Sequence, residues 1–448
     1  MNMHASDKEK ILAYDRPVPR YTSYPTAPHF QSVSQKNALN WLTSIPEKED
    51  ISLYIHIPFC EQMCWYCGCH TKVTKRYEPI ERYLTYVLAE ITLKANMVGK
   101  RLSVSHIHFG GGSPGILHPQ DFEELIEHLS HYFDISADAE IAIELDPRGV
   151  DEQKIKTYAK NGVNRVSLGV QDFNDTVLSA VNRKQPFDIN ERVVSMLRDN
   201  DINHISFDLM YGLPYQTTST IEETMARAIS LNPDRISFFG YAHVPWVKKH
   251  MRLMPEDHLP NKAERYDLFH AGAKTLKRAG YTSIGIDHFV KPGDNMAESY
   301  KTQTLRRNFQ GYTTDTASTM IGFGASAISH FKQGYQQNSP DMPVYRTALE
   351  HTELPIKKQY ILSADDEIRR DIIGKIMCYG HVDLKTYEED FSCELERLHQ
   401  YQYDGFIHIE DDVLHILKEH AMTARLIAAS FDAYLPEQFQ NPRHAQAV

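Results

Sequence analysis

The chain has 448 residues, 42% of them hydrophobic and 24% charged, proportions that exclude a disordered, collagen-like or coiled-coil protein. Its 48 Lys and Arg against 59 Asp and Glu leave a net charge of −11, which argues against non-specific binding to nucleic acid or an anionic membrane. The length allows two or three domains, or one barrel with an appendage. No apolar run approaches the roughly 20 residues of a membrane helix. Met1–Lys10 has no apolar signal core, so a cytoplasmic protein is expected. Six cysteines make no disulfide framework, yet Cys60, Cys64, Cys67 and Cys69 fall within ten residues.

Residues 1–50 are rich in proline and aromatics, as in Arg20-Tyr21-Thr22-Ser23-Tyr24-Pro25, and read either as a tail packed on the surface or as a strap over the open side of a barrel that covers the substrate. From Ile51 the chain alternates strand-like and helix-like stretches. Strands are predicted at Ile51–Ile57, Val104–Phe109, Glu140–Leu145, Arg165–Val170, Ile205–Leu209 and Arg235–Phe239, with a seventh at Ser283–Ile286. Between them, Tyr83–Leu93 and Phe122–Leu129 repeat apolar residues at helical spacing. Asn161-Gly162 and Ala279-Gly280 read as helix stops.

Such alternation predicts an α/β fold with a parallel sheet: a partial (β/α)6-type barrel over residues 51–355. An open doubly wound sheet is the alternative. In both, chemistry gathers at the C-terminal ends of strands, and each predicted strand does run into polar or glycine-rich residues there. Residues 356–448 turn helical, at Asp365–Met377 and Lys385–Gln402. A hairpin follows, Phe406–Ile409 and Val413–Leu417, then a helix to about Tyr434, a winged-helix-like order. DNA binding does not follow, because this segment carries 10 Lys and Arg against 17 Asp and Glu.

Cys60-x-x-x-Cys64-x-x-Cys67 follows the first strand. A redox pair would leave two cysteines over. A structural zinc site would need Cys69 as a fourth ligand, tight for one loop. The third reading is an iron–sulfur cluster held by three thiolates with one iron open to another ligand.

The pattern Cys60-Glu61-Gln62-Met63-Cys64-Trp65-Tyr66-Cys67 resembles the signature of radical S-adenosylmethionine enzymes. Longer motifs resemble one branch, the oxygen-independent coproporphyrinogen III oxidases. They include Tyr54-Ile55-His56-Ile57-Pro58-Phe59-Cys60, His108-Phe109-Gly110-Gly111-Gly112-Ser113-Pro114, Val170-Gln171-Asp172-Phe173 and Asp208-Leu209-Met210-Tyr211-Gly212-Leu213-Pro214. Arg307-Asn308-Phe309-Gln310-Gly311-Tyr312 and Gly324-Ala325-Ser326-Ala327-Ile328-Ser329 continue the match.

The resemblance implies that Cys60, Cys64 and Cys67 hold a 4Fe-4S cluster. It implies contacts to S-adenosylmethionine, two molecules of it, from Tyr54, Tyr66, Gly111, Gly112, Ser113, Glu144, Gln171, Arg183, Asp208, Ala242, Gln310 and Ile328. Cys69 is implied to serve in the reaction without holding the cluster. The substrate would be coproporphyrinogen III, two propionates of which become vinyl groups, with electrons drawn from a one-electron donor. A monomer with no nucleic-acid or membrane partner is expected. A tetra-anionic substrate on a protein of net charge −11 requires a local basic patch, for which Arg20, Lys248, Lys249, Arg306 and Arg307 are candidates. Two departures stand out: Ser113 where the family has Thr, and Gly240 where it commonly has Asn before Tyr241-Ala242-His243. The rival readings are a haem chaperone of the same superfamily, which typically lacks both the long N-terminal segment and Cys69, and a zinc-stabilised protein without activity.

Overall fold

The computed structural model describes residues 6–33 and 40–435, so the ends of the two expected terminal segments and residues 34–39 lie outside the described residues. Seven parallel strands form its centre: β1 (Ile51–Ile57), β2 (Ser103–Gly111), β3 (Asp134–Leu145), β4 (Arg165–Gln171), β5 (His204–Tyr211), β6 (Arg235–Gly240) and β7 (Thr319–Phe323). They lie in the order β7-β1-β2-β3-β4-β5-β6. Six of the seven β1 residues are buried, as expected of a parallel strand covered on both faces. Crossovers between them run through α1 (Glu78–Val98), α2 (Pro119–Tyr132), α3 (Glu152–Lys160), α4 (Phe187–Arg198), α5 (Thr218–Ser230) and α6 (Lys262–Arg278). The apolar repeats read in the sequence are the buried faces of α1 and α2. Gly162 and Gly280, just past α3 and α6, take left-handed φ of 80° and 91°, which stop those helices without strain.

The six main predicted strands form in place, but the seventh differs. Thr282–Ile284 is an edge strand in an antiparallel hairpin with His288–Val290, beside β6. The seventh parallel strand is β7, on the other flank of β1. Its run Thr-Met-Ile-Gly-Phe is fully buried, but Gly322 masks it, since glycine weakens the strand signal. Gly322 is there because a Cβ would lie 2.7 Å from Ile328 O. Beyond β7 the strands Ile328–Phe331, Gly334–Asn338, Ile356–Ile361 and Gln31–Ser32 extend one 13-stranded sheet. Its two ends do not pair with each other, so the barrel is open.

The C-terminal region has helix Ala364–Tyr379 and a small sheet with Val413–Ile416 between His381–Asp383 and Ile407–Glu410. Two expected helices are shorter than read. Lys385–Gln402 is helical only from Ser392, because the Asp383 and Asp390 carboxylates accept from the amides of Lys385 and Ser392 and hold turns instead. The last segment is a chain of short pieces around Ala424–Ala428 rather than one helix to Tyr434. Ile11, Val18, Tyr21 and Tyr24 pack into this region against Ile372, Ile376, Leu426 and Phe431. The N-terminal segment is thereby fastened to the C-terminal region.

One buried carboxylate ties α1 to the β7 flank. Glu90, fully buried, accepts from Lys94 Nζ at 2.6 Å, Asn338 Nδ2 at 2.7 Å, Gly324 N at 2.7 Å and Tyr345 Oη at 2.6 Å. Lys94 also donates to Gly322 O at 2.6 Å. Truncating Glu90 would strand the Lys94 charge in the interior. Glu90→Ala is expected to lower stability by about 3–5 kcal/mol, read as a fall in the urea midpoint, with Glu90→Gln losing less.

Candidate active site

β1 ends in Pro58-Phe59-Cys60, and the cysteine loop leaves from there. It is stitched back by a short parallel pairing of Phe59–Cys60 with Lys72–Val73 and by the Thr74 amide donating to Cys60 O at 3.0 Å. The end of β2 locks onto the same point: Gly112 N donates to Ile57 O and Ser113 N to Phe59 O, each at 2.9 Å. The three glycines are required by contact. A Cβ on Gly111 would come 2.6 Å from the His56 ring, and one on Gly112 would come 2.6 Å from Phe59 O. His56, buried, is pushed down to about 4 and is neutral. Its Nδ1 accepts from Tyr54 Oη at 2.9 Å and its Nε2–H donates to His70 O at 3.2 Å.

A cavity of about 180 Å³ opens above the ends of β1 to β5. Cys60, Cys64, Cys67 and Cys69 line it, together with Tyr66, Gly111, Gly112, Ser113, Glu144, Gln171, Arg183 and Asp208. A second, of about 270 Å³, lies deeper; it shares Glu144, Ser167 and Asp208 with the first and is also lined by Gln310, Tyr312 and His288. Tyr54, Ala242 and Ile328 lie outside both linings. Tyr54 is close by, since a Cβ on Gly110 would sit 3.1 Å from its ring and 2.9 Å from Glu144 Oε1. Gln171 sits in the left-handed region, φ 70°, where β4 breaks register with β5.

The sulfur atoms are held in a positive setting. Arg183 donates through Nη1 to Cys64 Sγ at 3.3 Å and to Asp146 at 3.2 Å. Arg148 Nη2 lies 3.6 Å from Cys64 Sγ, and Thr71 Oγ1 donates to Cys60 Sγ at 3.2 Å. Burial raises the Cys60 thiol to about 11. A hydrogen bond shared with Cys69 pulls Cys67 down to about 6 and pushes Cys69 up. Burial opposes ionisation of Asp146, yet Arg183 and Arg148 outweigh it and hold the carboxyl at about 2. Arg148, Thr71 and Asp146 were not assigned site roles from the sequence; Asp146 was visible as the strand-end Glu144-Leu145-Asp146-Pro147, whereas the other two carry no local signal.

Two carboxylates at the junction of the cavities behave oppositely. Burial opposes ionisation of Glu144, but His108 Nε2 at 2.9 Å and the Gly111 amide at 3.2 Å outweigh it and keep it low. Asp208 is raised to about 6 by burial and by the Glu144 charge; Ser167 Oγ donates to it at 3.0 Å.

The thiol set suits an iron–sulfur cluster. Among the described residues no three His, Cys, Asp or Glu side chains gather tightly enough for a single ion. A mononuclear zinc site would need all its thiolates about 2.3 Å from one metal. A four-iron cube takes one thiolate per iron, so three cysteines spaced around one cavity, with Arg and Thr donors behind the sulfurs, match it.

A raised carboxyl binds its proton more tightly folded than unfolded, so its contribution to stability shrinks as pH rises from about 4 through 6. The advantage of Asp208→Asn over the unsubstituted protein should therefore widen by about 1 kcal/mol between pH 5 and 7, measured by urea unfolding without nucleotide.

Residues 54–228 match the family model of the radical SAM superfamily. An oxygen-independent coproporphyrinogen III oxidase of Bradyrhizobium diazoefficiens is 44% identical, covering 96% of this chain and 97% of its own. The enzyme of that name from Paracoccus denitrificans is 36% identical over 96% and 97%. The solved structure of coproporphyrinogen III oxidase from Escherichia coli, described as a radical SAM enzyme, superposes with a TM-score of 0.88 at 32% identity, covering 94% of this chain and all of that one. This chain belongs to the oxygen-independent coproporphyrinogen III oxidase family within the radical SAM superfamily.

Proposed function

We propose that this chain oxidatively decarboxylates two propionates of coproporphyrinogen III to vinyl groups without oxygen, giving protoporphyrinogen IX for haem synthesis in the cytoplasm. The observation that carries this reading is the convergence of Cys60, Cys64 and Cys67 on one cavity with the Gly111–Gly112 turn, the strand-end groups Glu144, Gln171 and Asp208, and Arg183. Membership of the family supports the substrate. Each propionate gives up carbon dioxide, one hydrogen atom and one electron, leaving the carbon–carbon double bond. When bound, the 4Fe-4S cluster and S-adenosylmethionine supply the one-electron chemistry that removes the hydrogen from the propionate β-carbon.

The chain's own residues hold, orient and exclude water. Cys60, Cys64 and Cys67 would hold the cluster, with Thr71, Arg148 and Arg183 donating to their sulfurs. The bare backbone at Gly111 and Gly112 and the Ser113 hydroxyl would receive the methionyl end of the nucleotide. Glu144, Gln171 and Asp208 would accept or donate to its polar groups, and Tyr54, Tyr66, Ala242 and Ile328 would border it. Gln310, in the adjoining cavity, would meet a second nucleotide. Cys69 stands outside the three-cysteine set and offers a thiol to the reaction. Residues 1–50 would cover the site, 51–355 carry it, and 356–448 back the cover. The protein would act as a monomer, fed by a one-electron donor.

Anaerobic incubation with coproporphyrinogen III, S-adenosylmethionine and dithionite should yield a product lighter by one carbon dioxide and two hydrogens per propionate. Nucleotide cleavage with no vinyl product would favour the haem-chaperone reading, and a colourless, zinc-loaded protein from anaerobic purification would favour the structural one. Cys64→Ser should lose iron, sulfide and nucleotide cleavage together. Cys69→Ala should keep iron, sulfide and cleavage yet lose vinyl formation by about 100-fold or more, the scale of a lost proton-handling group. A Cys69→Ala protein that turned over normally would remove that thiol from the mechanism.

A further inference from the structure

Four arginines from separate parts of the chain meet beside the C-terminal ends of β5 and β6. Arg20, in the N-terminal segment, donates through Nη2 to Gly240 O at 2.8 Å. Arg307, in the ribbon strand Arg306–Asn308, donates through Nε to Arg20 O at 3.2 Å and packs 4.4 Å from the centre of the Tyr312 ring. Arg265 of α6 lies 5.6 Å from the centre of the Tyr211 ring. Arg425, buried in helix Ala424–Ala428, donates to the carbonyls of Pro19, at 3.1 Å, and Val18. A Cβ at position 240 would come 2.9 Å from Tyr211 Oη and 3.1 Å from Arg265 Nη2, so a side chain there would displace those two side-chain ends. Glycine at this position leaves the space to Arg265. Two of the other basic candidates sit elsewhere, Lys248 on Cys69 O and Arg306 on Thr316 O.

Four guanidinium groups meet here, and that of Arg425 is held by the Pro19 and Val18 carbonyls. The carboxylate that feels both Arg20 and Arg307 is Asp287, and it is already engaged by His288 Nδ1 at 2.8 Å. Burial, with Arg20 and Arg307 adding to it, pushes the Arg425 guanidinium down to about 10. Among the described residues, Arg307 Nη1 is buried with no hydrogen-bond partner. A buried guanidinium donor left unmatched costs stability, and a carboxylate beside Arg307 would match it. The group is also joined to the nucleotide end of the site. His288 Nε2 lies 3.2 Å from Ser237 Oγ, Ser237 bonds Asp208, and Tyr312, under Arg307, lines the deeper cavity with Gln310.

We propose that Arg20, Arg265, Arg307 and Arg425 form the clamp for a propionate carboxylate of the porphyrinogen, an inference that rests on the function proposed above. Planar guanidinium forks match both oxygens of a carboxylate, and a local group of cations offsets the net charge of −11 for a tetra-anionic ligand. A second source of a carboxylate is the methionyl end of S-adenosylmethionine, so the test separates the two.

Anaerobically purified protein is titrated with coproporphyrin III, with its tetramethyl ester, and with S-adenosylmethionine, following porphyrin fluorescence and nucleotide binding by calorimetry. Arg307→Ala and Arg265→Ala should each raise the Kd for coproporphyrin III about tenfold or more, in keeping with the loss of a charge-assisted hydrogen bond. The ester and S-adenosylmethionine should bind as before. Arg265→Lys, which keeps charge and bulk but not the fork, should recover part of the affinity and guards against a folding defect in Arg265→Ala. Three results would overturn the proposal: an unchanged Kd for coproporphyrin III, equal weakening of acid and ester, or weakening confined to S-adenosylmethionine. Wild-type protein that cleaves the nucleotide but binds no coproporphyrin III would instead sink the proposed function, and the clamp with it.

Discussion

The whole site hangs on a close approach between two strand ends. β1 and β2 continue their pairing past the sheet proper, through Gly112 N to Ile57 O and Ser113 N to Phe59 O, and this is possible only because Gly111 and Gly112 lack side chains. The same contact fixes where Cys60 starts, how the loop returns at Lys72 and Thr74, and which backbone faces the cavity. A methyl group at Gly112 would meet Phe59 backbone atoms, which cannot swing aside as a long side chain can. The loop that carries the thiols thus inherits the rigidity of a buried parallel sheet, although it has little regular structure of its own.

Placement of charge runs against the composition. A protein with 11 excess negative charges surrounds its sulfurs with Arg148 and Arg183, and gathers Arg20, Arg265, Arg307 and Arg425 near the ends of β5 and β6. The surplus acid lies elsewhere, for example in the C-terminal region. Asp146 is the link that makes the first of these arrangements tolerable. By pairing with both Arg148 and Arg183 it orients the two guanidinium groups toward Cys64 and neutralises part of their mutual repulsion.

Local chemistry was readable in the sequence to the extent that it repeats locally. The six main strands and the α1 and α2 faces follow from period and burial, and the cysteines, the glycine turn, the strand-end residues Glu144, Gln171 and Asp208, and Arg183 follow from their spacing and family likeness. What escaped is what the tertiary fold alone assembles. β7 pairs with β1 across some 260 residues of chain, and its glycine hides it. Thr71 reaches Cys60 only because the loop doubles back, and only the fold brings Arg265 and Arg425 together around Tyr211. Asp383 and Asp390 show the converse failure: short polar side chains capture nearby amides and interrupt a pattern that looked helical.

The pair Glu144 and Asp208 shows how one sheet prepares two unlike carboxyls at the same junction. Both are taken out of water, and burial alone would raise both. His108 and the Gly111 amide rescue the anion on Glu144, and that anion is then part of what raises Asp208 to about 6. The glycine turn that frames the cysteine loop therefore also decides which carboxyl is charged, because its amide is one of the donors to Glu144. Near neutral pH a small change in surroundings is enough to move the proton of Asp208. A hydroxyl-bearing ligand arriving between the two cavities would meet a fixed acceptor on one side, and on the other a carboxyl able to accept or donate.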